Sequence, residues 1–130
     1  MDIRVLVVDD AEYMRQMVIM MLKKIHIHDI LQAGSGADAL NILESGVIDL
    51  VLLDCVMPKE DGFHVLKAIR ANSKIAKTPV ILVTGYADKD LVAKAQQPDI
   101  RADWIIAKPL SLATLEGKIV TVMSHHKKTR

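Results

Sequence analysis

Three carboxylates, one hydroxyl and one ammonium fall where apolar runs end. "IRVLVV" (Ile3 to Val8) is followed by Asp9 and Asp10, and "DLVLLD" (Asp49 to Asp54) closes on Asp54. "PVILVT" (Pro79 to Thr84) closes on Thr84, and "WIIA" (Trp104 to Ala107) is followed by Lys108 and Pro109. Each group alone has an ordinary explanation: a helix cap for Asp9 and Asp10, a strand-end residue for Thr84, a solvated loop residue for Lys108. Their joint placement at four strand ends does not. An unpaired charge at the border of a core is costly. Two like charges about 4 Å apart repel by roughly 4 kcal/mol at an effective dielectric of about 20. Three gathered carboxylates are neutralised by Lys108 together with one divalent cation. A hard, oxygen-only site of this kind favours Mg²⁺, held by few carboxylates and several waters. Such an ion typically partners a phosphoryl group, whose oxygens Thr84 and Lys108 are suited to hydrogen-bond. Asp54, compensated by metal and lysine, is then a nucleophile toward phosphorus, forming an aspartyl phosphate.

The elements that must position these groups are legible in the hydropathy pattern. The three long apolar runs are continuous rather than alternating, as in strands covered on both faces of a parallel sheet. "WIIA" is a weaker strand, and "DILQA" (Asp29 to Ala33) is the weakest. Helical spacing fills the gaps. Met14, Met17, Val18, Met21, Leu22 and Ile25 share one face of a first helix, with Met20 off the stripe. A second carries Ala39, Leu40 and Leu43. A third carries Phe63, Val65, Leu66 and Ile69 and is reached through Gly62. A fourth carries Leu91, Val92 and Ala95 and ends near Pro98. A fifth carries Leu112, Leu115, Ile119, Val122 and Met123 behind Ser111 as N-cap. The order is β-α repeated five times, which requires parallel strands and right-handed crossovers. The predicted fold is a three-layer α/β domain spanning 1–130, with ligands expected beyond the carboxyl ends of the strands.

Composition bounds the function classes. The chain has 130 residues and a net charge of +1, the size of one domain, with no basic excess pointing to nucleic acid or an anionic membrane. The tail "HHKKTR" reads as a short solvated terminus, with its last few residues disordered. A single cysteine, no signal-peptide pattern and no apolar stretch of membrane-spanning length point to the cytoplasm. Cys55 adjoins Asp54 but should face the other side of its strand, as a small buried hydrophobe. His26 and His28 lack a third metal ligand, His64 reads as exposed, and "GSG" at Gly34 to Gly36 reads as a turn.

The motifs "VLVVDD", "DCVMPKEDG", "VTG" and "AKP", in that order and at these separations, closely resemble the receiver domain of two-component response regulators. The likeness covers nearly the whole chain. It implies the flavodoxin-like strand order 2-1-3-4-5. It implies that Asp54 accepts phosphate from a phosphohistidine on a histidine kinase or histidine phosphotransfer protein, with Mg²⁺ as cofactor. Asp9 and Asp10 would hold the metal, directly or through water, together with Asp54 and the backbone carbonyl of Val56. Thr84 would move toward the phosphoryl group and Lys108 would pair with it. The peptide bond before Pro109 would be cis. Three features depart from the family pattern, the first being that Ile105, preceded by Trp104, stands where the family has its aromatic switch residue. The segment between Thr84 and Lys108 is also about two residues long for the family, and carries Pro98 where a small turn is usual. Val56 and Tyr86 flank the path of an attacking water and are expected to govern the lifetime of the phosphoryl group.

The expected function is a single-domain signalling phosphoacceptor that changes which downstream protein it binds. It would help catalyse only its own phosphorylation and dephosphorylation, without direct nucleic-acid binding or membrane insertion. The alternatives are a receiver excised from a larger regulator or hybrid kinase, a constitutive interaction domain, and a Mg²⁺-dependent aspartyl phosphatase. The phosphatase would want a second acid close after the nucleophile, and Val56 occupies that position.

Overall fold

The computed structural model describes residues 1–57, 60–85 and 89–129, with Val56, Glu60 and residues 127–129 described in their backbone only. Five strands form one parallel sheet: β1 (Arg4–Val8), β2 (Asp29–Ala33), β3 (Leu50–Asp54), β4 (Val80–Thr84) and β5 (Trp104–Ala107). Their order is β2-β1-β3-β4-β5, as the resemblance implied. Helices α1 (Glu12–Lys24), α2 (Gly36–Ser45), α3 (Gly62–Ala71), α4 (Lys89–Ala95) and α5 (Leu112–Thr129) alternate with the strands. A small antiparallel ribbon pairs Val56–Met57 with Glu60–Asp61 between β3 and α3.

Continuous apolarity in the strands follows from burial on both faces. Leu6, Val8, Val51, Leu53, Val80 and Leu82 pack on one side with Ala39 and Leu43 of α2, Val65, Leu66 and Ile69 of α3 and Ala95 of α4. Val5, Val7, Leu50, Leu52, Ile81 and Ile106 face the other side, against Val18, Ile19 and Leu22 of α1 and Leu115, Ile119 and Val122 of α5. Each strand thus alternates between two cores rather than between core and solvent.

Local capping fixes where the helices begin. The Asp38 amide donates to Ser35 Oγ (3.1 Å), the Phe63 amide to Asp61 Oδ1 (2.9 Å) and the Thr114 amide to Ser111 Oγ (3.1 Å). One expectation is corrected. Met17 was placed on the core face of α1, but it is 45% exposed and Ile19 is buried in its place. Here β-branched and leucine side chains fill the interior, and Tyr13, Met17 and Met20 remain outside. α5 continues to Thr129. His126 anchors it, its Nε2 lying 2.7 Å from Asp103 Oδ1.

Candidate functional site

The register of the sheet assembles the acids. Val8 of β1 is paired with Leu53 of β3, so the next residues along, Asp9 and Asp54, leave the same sheet edge on neighbouring strands. Asp54 and Asp9 are both buried and Asp10 is exposed. Carboxylate oxygens of Asp9, Asp10 and Asp54 lie within 4.8 Å of one another. On the other flank Asp54 is paired with Val83, and Thr84 with Ala107, so Thr84 and Lys108 reach the same edge. The Lys108 amide donates to the Thr84 carbonyl (2.6 Å), and its ammonium lies 3.5 Å from Asp54 Oδ1. The peptide bond between Lys108 and Pro109 is cis.

The backbone carrying these groups is held from several sides. The Asp9 amide donates to the Ala33 carbonyl (3.2 Å), and Arg15 Nη1 donates to the Asp9 carbonyl (2.7 Å). The Ala11 amide donates to Asp9 Oδ1 (3.0 Å), so Asp9 braces the connection into α1 while α1 itself has no side-chain cap. The Cys55 amide donates to the Val83 carbonyl (2.8 Å) and the Gly62 amide to the Cys55 carbonyl (2.9 Å). Glycine is required at Gly62 by this close approach. A Cβ there would collide with the Asp54 carbonyl oxygen and stand 2.8 Å from Cys55 Cα.

Electrostatics marks the same edge. Burial holds the Asp9 carboxyl above its ordinary range, and the Asp54 charge adds to this; the Ala11 amide and Lys108 work against it. An acid pushed up by burial and by a like charge is what a cation site looks like before its cation is counted. The donor set is hard oxygen, with one exposed and two buried carboxylates, and it fits Mg²⁺. Burial also pushes the Cys55 thiol up to about 11, with Asp61 and Asp54 adding to the rise. Cys55 lies in the core on the α2–α3–α4 side, as its strand parity required.

A model of the response regulator receiver domain matches residues 5–120. The chain belongs to this family. It is 32% identical over 118 residues to chemotaxis protein CheY-3 of Vibrio cholerae, covering 91% of this chain and 89% of the relative. It is 31% identical over 116 residues to chemotaxis protein CheY of Pseudomonas aeruginosa, covering 89% and 92%. Among solved structures, Vibrio cholerae CheY4 superposes with a TM-score of 0.84 at 28% identity, covering 92% of this chain and 98% of that one. The receiver domain of a LuxO repressor protein from Vibrio parahaemolyticus gives 0.86 at 26% identity, covering 99% and 95%.

This receiver places its remaining sequence-derived residues as follows. Thr84 is buried at the end of β4. Ile105 is half-buried and packs on the α2–α3–α4 side, whereas Trp104 is exposed with Lys118 Nζ 4.2 Å from its ring centroid. The backbone of Val56 is in the short ribbon beyond Asp54. Tyr86 lies outside the described residues, as do Pro58 and Lys59 of the "MPKEDG" turn. His26, His28 and His64 are exposed, and none joins a metal-ligating group among the described residues. Two positioning residues escaped the sequence reading. Arg15 is one, because a basic residue early in a helix is too common to single out. The close contact at Gly62 is the other; the glycine was read only as a helix approach.

Proposed function

We propose that this receiver is a Mg²⁺-dependent phosphoacceptor in which Asp54 is the modified residue. The observation that carries this reading is the pairing of a buried Asp54 with Lys108 at 3.5 Å, beside the Asp9–Asp10 acids. An Asp54 carboxylate oxygen attacks phosphorus, the bond from phosphorus to the donor's imidazole nitrogen breaks, and the imidazole leaves with the electron pair. Lys108 and Thr84 stand at the sheet edge where the phosphoryl oxygens would lie, and supply an ammonium and a hydroxyl as donors. Asp9, Asp10, Asp54 and the Val56 carbonyl would hold Mg²⁺, which when bound offsets the charge accumulating between carboxylate and phosphoryl group. The donor would be a histidine kinase or histidine phosphotransfer protein. The output would be an exchange of protein partner rather than turnover of a separate substrate, and the place of action the cytoplasm. Among the described residues no helix is long and apolar enough to cross a membrane.

The test is incubation with acetyl phosphate and Mg²⁺, read by intact mass. One phosphoryl group should be added to the parent and none to Asp54→Asn. Equal labelling of the two would remove Asp54 from the role.

A further inference from the structure

The sheet edge opposite the carboxylates carries a second concentration of charge. A cleft of about 630 Å³ opens between the α3–β4 and α4–β5 connections, lined by Arg70, Lys74, Lys77 and Arg101, with Asp103 and His126. Asp103 is fully engaged. It receives Arg70 Nη2 (3.1 Å) and the Val80 amide (2.7 Å), and lies 2.7 Å from His126 Nε2. Arg70 also donates to the carbonyls of Ala76, Thr78, Ile100 and Arg101, tying the two connections together. Burial lowers the Arg70 pKa; Asp103 raises it and the neighbouring Arg101 charge lowers it again.

The other three cations are not neutralised in this way. The Lys74 ammonium donates to the Glu44 carbonyl (2.8 Å), an uncharged acceptor, while the Glu44 carboxylate accepts from Asn72 Nδ2 (2.7 Å). Among the described residues, Lys77 and Arg101 form no ion pair with a carboxylate. Three positive charges therefore gather at one edge of a molecule whose net charge is only +1. Like charges so placed repel unless an anion joins them.

Arg101 sharpens the case. Its φ is 47°, a left-handed conformation that glycine adopts freely and other residues adopt at a steric cost. Its amide donates to the Gln97 carbonyl and its carbonyl accepts from Arg70, interactions any residue would make. The guanidinium is what an arginine adds over glycine there, and strain of this kind marks binding sites. Ile48, Ile75 and Pro79 supply an apolar wall to the same cleft. Its volume is within the roughly 300–1,000 Å³ of small-molecule sites.

We propose that this cleft binds a nucleoside polyphosphate, its phosphates between Lys74, Lys77 and Arg101 and its base against Ile48, Ile75 and Pro79. The probe is ATP, titrated calorimetrically at low ionic strength with EDTA present, so that the acidic edge holds no metal. ATP should bind saturably at one site, pyrophosphate more weakly and adenosine not at all, and added salt should weaken the binding. Arg101→Gly combined with Lys77→Ala should weaken ATP binding by at least about tenfold. Arg101→Gly alone should melt no lower than the parent, since glycine relieves the left-handed backbone. Lys77→Ala alone, at an exposed side chain, should also lower ATP affinity. The proposal is overturned by absence of saturable ATP binding at millimolar concentration, or by equal affinity in parent and variants. Pyrophosphate binding as tight as ATP would overturn the nucleoside assignment. Binding of a polyglutamate peptide in place of ATP would overturn the small-ligand assignment.

Discussion

Lys108 Nζ and Asp54 Oδ1 are 3.5 Å apart in space although the residues are 54 positions apart in the chain. A tight charge-assisted bond would be about 2.7–2.9 Å. The ammonium therefore offsets the acid's charge without clamping its oxygen. Lys108 arrives from the end of β5, Asp54 from the end of β3, and β4 with Thr84 lies between them.

Replacing Lys108 with Met should act in two opposite directions. Labelling by acetyl phosphate should slow by about a hundredfold, the scale of losing one donor to a charged transition state. Mg²⁺ should bind more tightly, because a competing cation has gone from beside Asp54. Labelling-rate and Mg²⁺ titrations check both. Parallel losses in the two would mean that Lys108 merely holds the local fold.

Asp9→Asn keeps an acceptor for the Ala11 amide and removes a charge. The Asp9 carboxyl sits above its ordinary 3.8 in the fold because of burial and Asp54. The folded state then binds more protons than the unfolded state across that window, so stability falls as pH rises through it. In EDTA at neutral pH, Asp9→Asn should be more stable than the parent by on the order of 1 kcal/mol. The advantage should shrink on acidification, and Mg²⁺ binding should weaken. Urea denaturation across pH is the measurement; a variant less stable at neutral pH would show that the acid's hydrogen bond outweighs its charge.

Gly62→Ala forces α3 away from the end of β3, since the added methyl group meets backbone atoms of Asp54 and Cys55. Backbone cannot yield as a flexible side chain can. The expected loss is about 1–3 kcal/mol, the usual cost of overpacking, with slower labelling as Asp54 is displaced. Denaturation midpoints compare the two proteins, and an unchanged midpoint would refute the contact.

Cys55 should be inert in the folded protein. Burial raises its thiol from 9.0 to about 11, so little thiolate exists at pH 8, and thiol reagents should label it only on unfolding. Because the folded value is the higher one, this group's contribution to stability is complete below pH 9.0 and is lost as pH rises toward about 11. Rapid labelling of native protein at pH 8 would contradict the burial.

The sequence by itself determined the alternation of strands and helices and the two-sided burial of the sheet. It also marked which polar residues gather at one sheet edge, because strand ends are readable as the points where apolar runs stop. Asp9, Asp54, Thr84 and Lys108 each follow or close such a run. What it left open was the choice among apolar residues of a helix. Met17 and Ile19 of α1 are both apolar, and only packing in the core shared by α1 and α5 put Ile19 inside. The tertiary structure alone decided that Arg15 reaches the Asp9 carbonyl, that Gly62 must lack a side chain, and that His126 meets Asp103. These contacts depend on where a side chain reaches in three dimensions or on sub-ångström clearance. Hydropathy and spacing record which side chains leave water, and carry no information about which backbone atom each one meets.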